Sequence, residues 1–427
     1  MTTFDLLAVM AMVVVVVLFG LVLFEPGLPY EVRAELPEPG APEFCGLLAS
    51  LVDTPLRGDS KVTLLSGGAA FYEAELEAIA GARYSVHLEA YVFHSSAIAR
   101  RFVEVLAERA RNGVRVRVVI DAWGSMLTRD GYFSELRKAG GEVRWYQPLR
   151  WYTLKRFNNR THRELIVVDG KVGFIGGAGI ASWWTDGAAG GPPWRDTMAR
   201  VEGPLVMALQ TCFTENWLES SGEVLASGPD FPYANHDPAT VGGKARGLVV
   251  ISSPTAGRAT RARILFGLLL AAARKSICIQ SPYFLPDRGI MRELLKAAKR
   301  GVAITVMVPG RFANHPIARL ASRRRYGELL EAGIGIHEYQ PGMIHSKLMV
   351  VDEAWVVIGS TNFDNRSFGL NDEVNLAVQD APLAERAAAQ FMADLGASRA
   401  VTLEEWRRRS IGERVLASVG AVIERQE

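Results

Sequence analysis

The chain has 427 residues, 49% hydrophobic and 22% charged, enough to bury real cores and longer than a typical domain of about 100–150 residues. Its formal net charge of +2 is too small to argue for a nucleic-acid partner from bulk electrostatics. Three cysteines (Cys45, Cys212 and Cys278) lie far apart without C-x-x-C spacing, which indicates neither a zinc site nor a disulfide framework.

In chain order, Leu6 to Phe24 reads LLAVMAMVVVVVLFGLVLF, without charge or proline and just long enough for a hydrocarbon core of about 30 Å. No Lys or Arg precedes it and no A-x-A pattern follows, so residues 1–24 read as an uncleaved transmembrane helix rather than a signal peptide. Arg33 is the only basic residue near either flank, which leaves the orientation open. The proline- and acid-rich residues 25–57 read as a tether. Two long regions follow, 58–218 and 246–427, separated by the loop-rich stretch 219–245 (SGPDFPYANHDPATVGG).

The two regions repeat each other. ARYSVHLEAYVF (82–93) answers ARKSICIQSPYF (273–284), and NGVRVRVVID (112–121) answers RGVAITVMVP (300–309). YFSELRKAGGEVRWYQP (132–148) answers YGELLEAGIGIHEYQP (326–341), and THRELIVVDGKVGFIGGAGI (161–180) answers IHSKLMVVDEAWVVIGSTNF (344–363) without a gap. Helical stretches alternate with buried-looking strands, which predicts an α/β sheet in each half, the two halves packed face to face.

Chemistry concentrates in the last repeat. His345 and Lys347 are two apart and project from one face of a strand. Gly359-Ser360-Thr361-Asn362 is a small-residue turn whose donors can approach a phosphate closely. Glu373, 28 residues after His345, is a candidate to hold the imidazole in one tautomer. A lone histidine beside a strand is usually structural. The set H-x-K-x4-D plus G-S-x-N, with a histidine at the matching place in the other half, is far more specific.

These residues resemble the phospholipase D superfamily with its paired H-x-K-x4-D motifs, and within it the bacterial cardiolipin synthase branch. Tyr283-Phe284-Leu285-Pro286-Asp287, Glu338-Tyr339-Gln340-Pro341-Gly342, HSKLMVVD and GSTNFDNRS carry the likeness in the second half. HRELIVVDG, Trp194-Arg195-Asp196-Thr197 and Arg200-Val201-Glu202-Gly203-Pro204 carry it in the first, and the similarity spans about 58–427. The resemblance implies a duplicated α/β sandwich with one shared active site and a two-step displacement that uses neither cofactor nor metal. It implies His162 as nucleophile, forming a phospho-histidine, and His345 as general acid and base. Lys347, Asn362 and Ser360 would hold phosphate oxygens, and Asp196 would match Glu373. Asp169 and Asp352, in the catalytic motifs, would orient neighbours.

The first half departs from the motif at two positions, with Glu164 for lysine and Gly179 for asparagine. A unit charge pair at about 4 Å is worth roughly 4 kcal/mol at an effective dielectric near 20, so a charge inversion here threatens activity. Three escapes are open: a cation (Arg160, Arg163 or Arg195) neutralises Glu164, a basic group from elsewhere replaces the lysine, or Glu164 binds a donor on a lipid headgroup. The expected function is phosphatidyl transfer on a phospholipid such as phosphatidylglycerol at the bacterial cell membrane, with no nucleic acid as partner. The alternatives are a hydrolase or nuclease of the same superfamily, or a catalytically impaired lipid-binding relative. The run Arg323-Arg324-Arg325 reads as a solvated helix face. The segment from Trp406 through Val422 reads either as a terminal helix packed on the domain or as one lying on a membrane. The sequence sets no oligomeric state.

Overall fold

The computed structural model of the chain describes residues 3–23, 30–149, 158–226, 228, 242–254, 260–410 and 413. In the first half the β-branched runs become the parallel strands Ser85–Ala90, Arg115–Asp121 and Glu142–Tyr146. On the other side of Ser85–Ala90 lie Leu165–Val168, Val172–Gly176, Thr197–Glu202 and Arg57–Ser66, all antiparallel to their neighbours. The second half repeats this order. Ser276–Gln280, Ala303–Pro309 and Gly335–Tyr339 are parallel, followed outward by Leu348–Val351, Trp355–Gly359, Glu373–Gln379 and Ala245–Ser252. Leu165–Val168 and Leu348–Val351 are buried at every position, which explains their unbroken apolar sequence.

The parallel strands need crossovers, and amphipathic helices supply them. Ala97–Arg111 is capped by the Ser96 hydroxyl accepting from the amide of Ala99, and Arg288–Lys299 by Asp287 accepting from the amides of Gly289 and Ile290. Basic side chains in the last turns (Arg109 and Arg111; Lys296 and Lys299) complement the helix dipoles.

The two half-sheets meet at one seam, where Arg57–Ser66 runs antiparallel to Ala245–Ser252 with an irregularity between Arg57 and Ser60. With the edge strand Ser398–Ala400 antiparallel to Gly335–Tyr339, the result among the described residues is one sheet of fifteen strands. So wide a sheet curls, and here it folds back on itself. Leu165, Val167, Ile175 and Val201 share one core with Leu348, Val350, Val356 and Ile358 of the other half. Face-to-face packing of two like halves is therefore present.

The tether expected over 25–57 is corrected from Tyr30 onward. Arg274 donates to the carbonyl of Leu36 at 2.7 Å, and the Trp355 indole N–H donates to that of Pro39 at 2.6 Å. The helix Pro42–Leu51 then buries Phe44, Cys45 and Leu48 in the outer core of the second half, with Phe44 edge-on to Trp355. Prolines and acids gave this stretch a linker's composition, but Phe44 and Leu48, four apart, form an apolar stripe. Of the linker 219–245, helix Leu205–Ser221 takes the first residues and the strand from Ala245 the last. Most of the remainder lies outside the described residues.

The apolar N-terminal stretch forms helix Thr3–Leu23. Its described side chains, among them Phe4, Leu6, Met10, Val13 and Val15, are exposed. Among the described residues no helix is long and apolar enough to cross a membrane. At the other end, helix Leu403–Arg407 is packed on the domain: the Trp406 indole N–H donates to the carbonyl of Arg323 at 2.6 Å. Ile411 and the apolar positions from Val415 onward lie outside the described residues. The solvated-face reading of Arg323 is overturned, since Arg323 joins Arg319 and Arg399 around the buried carboxylate of Glu338.

Candidate active site

His162 and His345 each precede the antiparallel strand beside the first parallel strand of their half, at the end of the sheet where the parallel strands finish. Two short bridges between the halves fix them. His162 donates its amide to the carbonyl of Asp372 at 2.8 Å, and Asp372 donates to that of Arg160 at 2.9 Å. In the mirrored arrangement Arg195 donates to Met343 and His345 donates to Arg195, both at 2.7 Å. Asp372 precedes Glu373 and Arg195 precedes Asp196, so each bridge lays a histidine against a carboxylate of the opposite half. His162 Nδ1 is 3.2 Å from Glu373 Oε1, and His345 Nδ1 is 2.9 Å from Asp196 Oδ2. The pairing of Glu373 with His345 expected within one half is corrected to a crossed one. Sequence repeats reveal equivalent positions, but the edges of two facing half-sheets decide which positions meet.

Lys347 lies over His345 as the two-residue spacing predicted, its Nζ 2.9 and 3.1 Å from the ring nitrogens and 3.0 Å from the His345 carbonyl. It reaches into the first half: a Cβ on Gly177 would come 2.9 Å from Nζ. Burial brings the Lys347 ammonium down to about 8, opposed by Asp196, Glu373 and Glu164. Burial, then the charge of Lys347, pushes His345 down to about 4 against the pull of Asp196, and His162 adds to the lowering. Burial raises Asp196, but the hydrogen bond and charge of His345 and the charge of Lys347 outweigh it and hold the carboxyl low. These mutual influences place both histidines, both carboxylates and the lysine in one cluster.

The remaining expected residues divide. Asn362 is buried in the cluster's half, and its Oδ1 has no hydrogen-bond partner among the described residues. The Ser360 hydroxyl is committed instead: it donates to Glu373 Oε2 at 2.5 Å and accepts from the amide of Val374. It therefore orients the carboxylate and is not available to a phosphate. Asp169 and Asp352 stand outside the cluster, at the far ends of the strands that the histidines precede. Asp169 accepts from the amides of Arg83, Tyr84 and Ser85, and Asp352 from those of Arg274, Lys275 and Ser276, at 2.7–2.9 Å. Each clamps the entry to the first parallel strand of its half, a structural duty outside the cluster.

Glu164 is buried and accepts at Oε1 from the amides of Tyr91 and Val92, at 3.2 and 3.1 Å. The three arginines proposed to neutralise it each have another carboxylate partner. Arg160 sits 3.5 Å from Asp121, Arg163 3.0 Å from Glu215, and Arg195 2.9 Å from Asp394. Burial pushes the Glu164 carboxyl well above the usual range, and the Val92 and Tyr91 amides and Lys347 offset this only in part. Burial thus disfavours the charged form that would invert the charge at this position.

Sequence reasoning passed over the aromatic walls. Tyr91 meets the His162 ring edge-on at 4.5 Å, and Trp184 and Trp194 lie 5.5 and 5.2 Å from the His345 ring. Trp194 stood inside a quoted motif, and Tyr91 differs from its repeat counterpart Pro282, which was the available signal. Half-buried Asp364, raised to about 6 by burial, lies within the electrostatic reach of His162 and Glu373. Among the described residues no three His, Cys, Asp or Glu side chains group to hold a metal ion. The arrangement offers two imidazoles, each backed by a carboxylate, around a single buried ammonium. That is a set suited to moving a phosphoryl group between two oxygens with proton transfer.

Comparison with known proteins agrees with this geometry. The family described as "Cardiolipin synthase, PLD-like domain" matches residues 76–188 and 268–395. Cardiolipin synthase 1 of Staphylococcus epidermidis strain RP62A is 33% identical over 363 residues, 84% of this chain and 72% of its own length. The major cardiolipin synthase ClsA of Bacillus subtilis strain 168 is 32% identical over 368 residues, 86% of this chain and 75% of its own. The crystal structure of phosphatidylserine synthase from Haemophilus influenzae superposes with a TM-score of 0.68 at 14% identity, covering 90% of this chain and 98% of that one, a likeness of fold.

Proposed function

We propose, because this chain belongs to the PLD-like family of cardiolipin synthases, that it is a phosphatidyltransferase that joins the phosphatidyl group of one phospholipid to a hydroxyl of another. The observation that carries the mechanism is the crossed pair of histidine–carboxylate contacts around Lys347. His162, oriented by Glu373, attacks phosphorus through Nε2 and breaks the bond to the headgroup oxygen, which leaves with a proton from His345. The hydroxyl of a second lipid then gives its proton to His345 and attacks the phospho-histidine, and the bond to His162 breaks. With phosphatidylglycerol as both donor and acceptor the products are cardiolipin and glycerol. Burial and the Lys347 charge keep His345 unprotonated, and the entering anionic phosphodiester offsets the Lys347 part. His345 thus becomes able to hold the proton it must donate. Lys347 and Asn362 stabilise charge on the non-bridging oxygens. Trp184 and Trp194 keep water from the His345 side and favour transfer over hydrolysis.

The membrane part of the proposal rests on two features. The described side chains of helix Thr3–Leu23 are exposed and, apart from Asp5 in the first turn, apolar, as suits a single-pass anchor. Trp123, Met126, Leu127 and Leu149 are also exposed, on loops that follow the parallel strands at the histidine end of the sheet. The test is incubation of the purified chain in mixed micelles with labelled phosphatidylglycerol, beside a His345→Ala control. Cardiolipin formed by the wild type alone supports the reading; DNA cleavage without any lipid product would sink it.

A further inference from the structure

Two positions of the first half lack the groups that Lys347 and Asn362 supply in the second, and the replacements touch each other. A Cβ built on Gly179 would lie 2.8 Å from Glu164 Oε1 and 2.5 Å from the Val92 carbonyl oxygen. Glycine at 179 is therefore required by the Val92 carbonyl, which the Ile180 amide holds at 2.7 Å, and it also leaves room for the Glu164 carboxyl. The receptor for that carboxyl is equally local. Glu164 accepts from two consecutive amides, Tyr91 and Val92, and in the aligned repeat these are Pro282 and Tyr283. Proline has no N–H, so the second half cannot build the same clamp. The clamped residues carry Tyr91, whose ring rests against His162. Lys347, meanwhile, passes over Gly177 and serves the first half from the second.

We propose that Glu164 and Gly179 form a matched pair that makes the vacated lysine position a positioning site: Glu164 helps to fix residues 91–92 and so holds Tyr91 against His162, while Lys347 supplies the motif ammonium to the shared site. The kinetic part of this rests on the phosphatidyl-transfer reading; the pairing itself does not. Burial disfavours the charged form of Glu164, which fits the role by lessening repulsion toward a phosphate.

The test is a cycle of Glu164→Lys, Gly179→Asn and the double variant, with Glu164→Gln as the conservative change, all in the full chain. Turnover of phosphatidylglycerol and the thermal unfolding midpoint are measured for each. Gln keeps an oxygen acceptor for both amides and should retain turnover within about threefold, with an unchanged pH profile. Lysine cannot accept a hydrogen bond and should lower kcat about 100-fold with little change in KM, because Tyr91 and His162 shift while phosphate binding persists. Asparagine at 179 meets Glu164 Oε1 and the drawn-in Val92 carbonyl, and should lower both kcat and the midpoint. The double variant removes the carboxyl oxygen that a side chain at 179 would meet and leaves the Val92 carbonyl, held by the Ile180 amide, as the remaining close contact. It should exceed the product of the single effects at least tenfold in turnover and melt above Gly179→Asn. Effects that simply multiply, or a Gln variant as poor as the Lys variant, would overturn the proposal. Should the wild type form no cardiolipin, the functional reading fails, while non-additive midpoints still support the pairing and additive ones still refute it.

Discussion

Replacing Lys347 by glutamine removes the ammonium at the centre of the site and leaves its shape nearly intact. Lys347 Nζ sits 2.9 Å from His345 Nδ1, and its side chain is only 7% exposed, so no bulk water screens it from a phosphate bound between the histidines. One unit charge pair at about 4 Å and an effective dielectric near 20 contributes roughly 4 kcal/mol. Loss of most of that corresponds to a fall of about 100- to 1000-fold in kcat/KM at 1.36 kcal/mol per decade. The pH dependence gives a second reading of the same group. The active form is protonated and Lys347 titrates at about 8, so kcat/KM for the wild type should fall tenfold per unit above that pH. The sign for stability is opposite. Between about 8 and the ordinary lysine value of about 10.4 the unfolded chain binds the proton more tightly, so the contribution of Lys347 to stability rises with pH there. Lost activity over that range is then not denaturation. Lys347→Arg stays charged and should abolish the alkaline limb, although its rigid fork will cost some rate at pH 7. The assay is initial-rate formation of cardiolipin from phosphatidylglycerol micelles between pH 6 and 10. A Gln variant that keeps more than a tenth of wild-type kcat/KM, or a limb that persists in the Arg variant, would refute the reasoning.

Asp196→Asn and Glu373→Gln should each lower kcat about 10- to 150-fold, the equivalent of a charged hydrogen bond worth about 1.5–3 kcal/mol, with little change in thermal midpoint. Imidazole NMR signals of His162 should move in Glu373→Gln and stay in Asp196→Asn; the reverse pattern would restore pairing within each half. Asp169→Ala and Asp352→Ala each strip three backbone amides of their acceptor and should cost about 2–4 kcal/mol in denaturant melts, while kcat per folded molecule holds. Trp355→Ala undercuts the docked N-terminal segment and should cost about 3–5 kcal/mol. Removal of residues 1–29 should leave the midpoint unchanged and move the protein from the membrane pellet to the supernatant.

The duplicated α/β architecture was legible because each half carries the same unbroken apolar runs in the same order, and burial on both faces leaves that mark on a sequence. The two histidines were equally legible as matched positions in the repeat. What joins them was not. Asp196 and Glu373 could be singled out in the sequence, but which histidine each meets depends on backbone bridges between Thr161 and Asp372 and between Arg195 and Ile344, contacts between segments far apart in the chain. Ser360 looked like a phosphate donor because a hydroxyl beside glycine is free in sequence; in space it is occupied by Glu373. Residues 30–52 looked like a tether because composition registers prolines and acids and passes over a short apolar stripe. The upward shift of the Glu164 carboxyl comes from burial, against the pull of the two amides it accepts from, and neither is announced by a residue type.

The crossed histidine–carboxylate pairs bear on how such a gene can diverge. A single half has a histidine whose partner lies on another copy, so it completes a site only by meeting a second copy, and every substitution then appears twice around that site. The seam between Arg57–Ser66 and Ala245–Ser252 places both copies in one polypeptide. Fusion frees each copy to drift separately. A glutamate in place of lysine, intolerable if it struck both sides at once, becomes affordable on one side while its sibling still holds the charge. The lopsided site is thus a record of duplication followed by division of labour, open only to a lineage that had stopped assembling its enzyme from identical parts.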